Sequence, residues 1–182
     1  GEDGFEVYLP VFNSLRLWER ILASEEPGEV QPVGLGARDS LRLEAAMPLY
    51  GHELDDTLTP LDAGLGKFVD LDKTADFIGR DALVKLKAAV GPEKKLAGFE
   101  MVQRGPIPRQ GFSVVNDAGE PIGVVTSGIF SPTLQKTIGL AYINKEHSSI
   151  GSSISIDIRG RALPATIIKR PFYRRQPANV QA

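Results

Sequence analysis

Apolar and polar residues follow different rhythms along this chain. In "GFEVYLP" (4–10) they alternate one by one, among aromatic and β-branched side chains, which predicts a strand that Pro10 ends. In "NSLRLWERILASE" Leu15, Trp18, Ile21 and Leu22 recur at helical spacing, with Asn13 or Ser14 placed to cap the N-terminus. "EEPGEVQP" breaks the pattern. "VGLGARDSLRLEAAM" then gives a short apolar entry and a second helical stretch carrying Leu41 and Ala45. Such an order predicts an α+β layer whose sheet takes further strands from elsewhere.

The next thirty or so residues, from Pro48, are dense in Gly, Pro and Asp. They predict ordered irregular chain with one short strand near Lys67–Leu71. A helix is expected over Ala82–Val90, stopped by Gly91-Pro92, where a domain boundary is placed. Beyond it the rhythm becomes short and two-fold: "KLAGFEMV", "FSVVN", "PIGVVTSG", "TIGLAYI", "SSISIDI" and "LPATIIK". Asn116-Asp117-Ala118-Gly119 signals a hairpin turn, and Ile154, Ile156 and Ile158 define one buried strand face. Six strands without intervening helices predict a small antiparallel barrel or sandwich. The expected class is α+β, with an α+β part at 1–91, a barrel at 92–176 and a tail at 177–182.

Composition narrows the chemistry. With 182 residues and 42% hydrophobic content, one medium or two small cores can be buried. A formal charge of −2 gives no reason to expect nucleic acid or a membrane as partner. Cysteine is absent, which excludes disulfides, thiol nucleophiles and thiolate metal sites, and suits a reducing cytoplasm. His52 and His147 stand far apart in sequence, so no metal is expected. No apolar run reaches the length of a membrane span.

Few motifs carry chemistry on their own. "GLGARD" lacks the third glycine and the βαβ frame of a dinucleotide loop. Arg38 and Arg42 share a helix face, and either a surface ion-pair lattice or a clamp on a ligand carboxylate fits them. Glu6, among Glu2 and Asp3, is either solvated or an acceptor for an amino-heterocycle. Lys169, Arg170, Arg174 and Arg175 form either a solvated basic tail or one folded toward an anionic ligand.

Several strings taken together resemble one family. "GEDGFEVYLP", "GLGARDSLRLEAAMPLYGHEL", "TPLDAGLG", "DFIGRDAL", "VTSGIFSPTLQKTIGLAYI" and "KRPFY" stand in the order found in the aminomethyltransferase (T-protein) family of the glycine cleavage system. The resemblance runs from residue 1 to about residue 175. It implies tetrahydrofolate as one-carbon acceptor, aminomethyl-lipoyl H-protein as donor partner, ammonia and methylenetetrahydrofolate as products, and no metal. It implies that residues 1–91 belong to the folate-binding α+β domain. Positional matching puts Glu6 on the pterin ring and Arg38 on the folate glutamyl carboxylate.

The family's catalytic aspartate has no counterpart here, nor has the tyrosine preceding "GEDG". The resemblance therefore implies a C-terminal half that is inactive alone and self-associates through residues 1–90. Lys67-Phe68 and Met47 replace aromatic residues common in relatives. Tyr173, Arg174 and Arg175 are candidates for a contact to the folate tail. The same superfamily includes folate-dependent demethylases and non-catalytic folate-binding or interaction modules. Those of iron–sulfur assembly carry a "KGCYxGQ" motif, which the cysteine-free "DFIGRDAL" does not match.

Overall fold

The computed structural model describes residues 4–23, 30–89 and 92–174. The chain divides into two compact units, Gly1–Asp39 and Ser40–Ala182.

The first unit holds a 3-10 turn at Val11–Asn13, helix α1 (Ser14–Leu22) and the start of α2 (Leu35–Glu44). Asn13 is the N-cap residue of α1, but no side-chain hydrogen bond caps the helix; the Ser14 hydroxyl instead donates to the Val11 carbonyl at 2.6 Å. The predicted helix is present, and its stripe of Leu15, Trp18, Ile21 and Leu22 is exposed. The strand expected over residues 4–10 is not formed: among the described residues no ladder partner pairs with it, and Phe5, Val7 and Tyr8 face solvent. Alternation specifies faces, but a strand also needs a neighbour for its amides and carbonyls.

The second unit is built around a closed barrel. Its strands are β1 (Lys94–Met101), β2 (Ser113–Val115), β3 (Pro121–Ser131), β4 (Lys136–Asn144), β5 (Ser153–Asp157) and β6 (Ala162–Ile168). All pairs are antiparallel, in the order β1-β4-β3-β2-β5-β6, with β6 returning to β1. Each strand sends apolar residues inward, including Phe99, Val114, Val125, Ile143, Ile154 and Ile167. Ile154, Ile156 and Ile158 are buried as the alternation predicts. Gly139 lies opposite Phe99 in the ladder. A Cβ there would run into the Phe99 ring and stand 2.6 Å from the Ser127 carbonyl, so only glycine fits.

A second apolar layer covers the outside of β1, β3 and β4, where Leu43 packs against Leu96, Ile129, Ile138, Leu140 and Tyr142. One bulge makes the two layers compatible. Val125 pairs with Ala141 and Ser127 with Leu140, leaving Thr126 as an extra residue. Before the bulge Val125 faces the barrel interior; after it Ser127 and Ile129 face the outer layer. A single inserted residue thus switches which face β3 buries.

Two further expectations change. Residues 67–71 form no strand; a 3-10 turn at Gly66–Phe68 replaces it, closed by the Val69 amide on the Gly66 carbonyl. The helix expected at Ala82–Val90 is α3, Arg80–Ala88, entered from Gly79 at φ +90°. Val90 and Gly91 lie outside the described residues.

Candidate functional site

The most heavily bonded polar centre lies between the end of α2 and the bulge of β3. Its first part is Arg42, on the last turn of α2, beside the buried Leu43. Glu53 lies within a tight turn in which the Gly51 amide, at φ +86°, bonds the Leu54 carbonyl. Ser127 is turned outward by the bulge. The Arg42 guanidinium meets a Glu53 carboxylate oxygen at 2.9 Å and donates to the Ser127 hydroxyl at 2.8 Å. Ser127 passes its own hydrogen to the other Glu53 oxygen at 2.6 Å, and the Leu49 amide adds a further bond at 2.9 Å. Glu53 is wholly buried and Arg42 nearly so. Three charged or polar groups thus close a ring in which each satisfies the next, the condition for tolerating a buried charge.

Neighbouring groups extend this centre. The bulge frees the Thr126 carbonyl, which accepts from His52 Nδ1 at 2.9 Å. The Tyr142 phenol donates to the Glu53 backbone carbonyl at 2.8 Å. Burial, followed by the negative charges of Asp62, Glu53 and Asp55, pushes the Tyr142 phenol up to about 12. Arg170 is lowered by burial, which the nearby Tyr142 and Glu53 oppose. Glu44, also buried, accepts from Ser131 and Thr133 and ties down the loop after β3. Glu53, Ser127 and Glu44 find their partners within the protein. The ring is a clamp joining α2 and the 49–54 turn to the barrel.

The sequence-predicted site residues lie in the first unit. Glu6 is exposed, and its carboxylate accepts from the Tyr8 hydroxyl at 2.7 Å, a bond that raises the Tyr8 phenol. Arg38 is exposed on α2, its amide bonded to the Gly34 carbonyl. No ion pair joins Glu6 and Arg38 among the described residues. Both side chains are presented to solvent. Arg42, paired with Arg38 in the sequence reading, proves to be neither surface lattice nor ligand clamp. Met47 is partly exposed, and the Lys67 ammonium sits 4.8 Å over the Phe68 ring.

The basic tail also departs from a solvated strip. Arg170 is largely buried, Phe172 packs on the outer layer, and the Tyr173 amide bonds the Glu44 carbonyl at 2.9 Å. A Cβ on Gly98 would stand 2.8 Å from Arg170 and 2.9 Å from the Phe172 ring, so the bare strand surface is what admits the returning tail. Arg174 is exposed; Arg175 lies outside the described residues.

Two cavities flank the barrel. One, of about 700 Å³, is bordered by His52, Asp55, Asp62, Glu93, Gln110 and Tyr142. Its acids are largely engaged locally. The Asp55 carboxyl is held below its ordinary value by the Thr57 hydroxyl, then by the Thr57 amide, with a smaller effect from the Leu58 amide. Asp62 accepts from the Thr59 amide and hydroxyl. The other cavity, of about 670 Å³, opens at the barrel end where β1 and β5 finish and is ringed by arginines. No cluster of three or more His, Cys, Asp or Glu residues able to hold a metal occurs among the described residues. No helix there is long and apolar enough to cross a membrane.

A closed six-stranded antiparallel barrel, preceded by helices and a clamped irregular segment, defines the class. Comparison with known proteins then gives the family. The GCVT N-terminal domain profile matches residues 1–73, and that of the glycine cleavage T-protein C-terminal barrel domain matches residues 94–174. Curated aminomethyltransferases of Symbiobacterium thermophilum and Caldanaerobacter subterraneus are 52% and 51% identical over 96% of this chain, which covers 46% of each. The crystal structure of glycine cleavage system aminomethyltransferase T from Bartonella henselae superposes with a TM-score of 0.80 at 31% identity, covering 91% of this chain and 45% of that one. The chain belongs to the glycine cleavage T-protein family, and it spans about half the length of the curated relatives it matches.

Proposed function

We propose that this chain forms the C-terminal portion of a tetrahydrofolate-dependent aminomethyltransferase of the glycine cleavage system. The whole protein would take the aminomethyl group from the lipoyl arm of H-protein, release ammonia and deliver methylenetetrahydrofolate. The observation that carries this reading is the match of both family profiles, in order, with about half of all residues identical to curated aminomethyltransferases.

Within that reading Glu6 and Arg38 bind the folate. A carboxylate accepts two N–H bonds from the amino edge of a pterin, and a guanidinium meets a glutamyl carboxylate with paired donors. Their exposure supports availability, since neither is buried in a protein contact. Residues 1–91 would form part of the folate-binding domain and 92–176 the barrel. A reducing cytoplasm suits the cysteine-free chain.

Two finer statements belong here. The chain alone gives no useful transfer, because it holds no counterpart of the family's catalytic aspartate. It also self-associates, because Phe5, Tyr8, Val11, Phe12 and Leu15 present apolar surface to water. Ammonia release from aminomethylated H-protein at the rate of a full-length relative would overturn the first. A monodisperse monomer in light scattering at high concentration would overturn the second.

Tetrahydrofolate titration tests the functional assignment. Saturable binding that Arg38→Ala weakens supports a folate wall. Absent binding favours the alternative of a non-catalytic module.

A further inference from the structure

The arginine-ringed cavity lies wholly within the second unit and outside the clamp and the folate residues. Arg104, Arg109, Arg159 and Arg161 line it, and no acidic residue does. In a chain of net charge −2, four like charges around one opening stand out against the average. Among the described residues none of the four is held in an ion pair. The wall between them is apolar: Met101 and Ile158 are buried, and Leu163 is half-buried against the barrel core.

The local backbone adds a second observation. β5 and β6 are joined by a two-residue turn, closed by the Ile158 amide on the Arg161 carbonyl at 2.9 Å and the reverse bond at 3.3 Å. Both central residues have positive φ, Arg159 at +56° and Gly160 at +80°. Such turns favour Asn, Asp or Gly at the first position, because an L side chain is strained there. An arginine is a costly choice at that position, and it stands on the rim of the cavity. The Arg104 guanidinium lies 5.0 Å from the Phe130 ring centroid, which restrains a side chain that would otherwise sample many rotamers. A restrained guanidinium loses less freedom on binding.

We propose that this barrel-end cavity is a binding site for a small organic anion with a flat apolar body and two or more carboxylate or phosphate groups. The apolar body lies on Met101, Ile158 and Leu163, and the anionic groups meet the rim arginines with paired N–H donors. The volume is that of ordinary small-molecule pockets, roughly 300–1,000 Å³. This site does not depend on the folate reading.

The probes are trimesate and hydroquinone bisphosphate, with neutral benzamide as comparator. They are titrated into the whole chain and followed by backbone amide NMR. The expected result is saturable shifts confined to residues 101–112 and 158–164 for at least one anion, weakening as salt rises, with none for benzamide. Which anion binds more tightly separates a carboxylate from a phosphate ligand. Arg159→Gly removes a guanidinium and relieves the turn, so the protein stays folded while affinity falls at least about threefold; Arg159→Gly with Arg161→Gln brings the loss to about tenfold. Affinity unchanged in both variants, benzamide binding as well as the anions, or shifts for neither anion would overturn the proposal. Folate binding is read separately at Arg38, so failure of one leaves the other standing.

Discussion

Glu53 shows how a carboxylate can be kept deep in a small protein. It spends one oxygen on Arg42 and Leu49 and the other on Ser127, so no lone charge faces an apolar wall. Breaking such a pair leaves the partner charged and dry, which typically costs about 3–5 kcal/mol. Glu53→Gln keeps the volume and removes the charge. Its unfolding free energy in urea is expected to fall by about that amount, and a change below about 1 kcal/mol would contradict the clamp. Tyr142 gives a pH signature of the same centre. Its folded phenol titrates at about 12 against an ordinary 10.0. Between those values the unfolded chain has lost the proton and the native state still holds it, so rising pH favours unfolding. The stability contributed by the neutral phenol is complete below pH 10 and lost as pH rises through 12, about 2–3 kcal/mol in all. Tyr142→Phe is expected to be less stable at neutral pH, through the lost bond to Glu53, but to decline less steeply above pH 10. A variant with the same alkaline slope as the parent would show that Tyr142 is not the group responsible.

At the level of elements, the six barrel strands were legible because each has a buried face that repeats in the sequence, and the three helices of the described residues because apolar side chains recur at helical spacing even where, as on α1, they stay exposed. Closure of the barrel in the order β1-β4-β3-β2-β5-β6 was not, because pairing over long separations leaves no local mark. The run at residues 4–10 misled for a related reason: its alternation is genuine, yet no strand pairs with it among the described residues. Lys67–Leu71 misled because Gly66 and the hydrogen bonds around it favour a tight turn. Glu6 and Arg38 were candidates by their chemistry, their particular roles came only from a family resemblance, and the structure presents both to solvent. The Arg42–Glu53 clamp escaped the sequence reading altogether. Nothing on α2 announces it, since Arg42 shares its helix face with Arg38 and Asp39 rather than with an apolar stripe. Its acidic partner lies beyond a turn, and its hydroxyl partner appears only through a bulge, and neither can be counted out along a helix.

For the molecule as a whole, the barrel and its clamp are complete within the second unit, whereas the proposed folate residues stand exposed in the first. That division makes the folate assignment the claim most open to test. The direct measurement is a fluorescence titration of the intact chain with tetrahydrofolate, repeated with Arg38→Ala and Glu6→Gln. Saturable micromolar binding is expected, with a loss of at least about tenfold in Arg38→Ala, the scale of one charge-assisted bidentate contact. Undetectable binding by the parent chain, or equal binding by the parent and both variants, would contradict it.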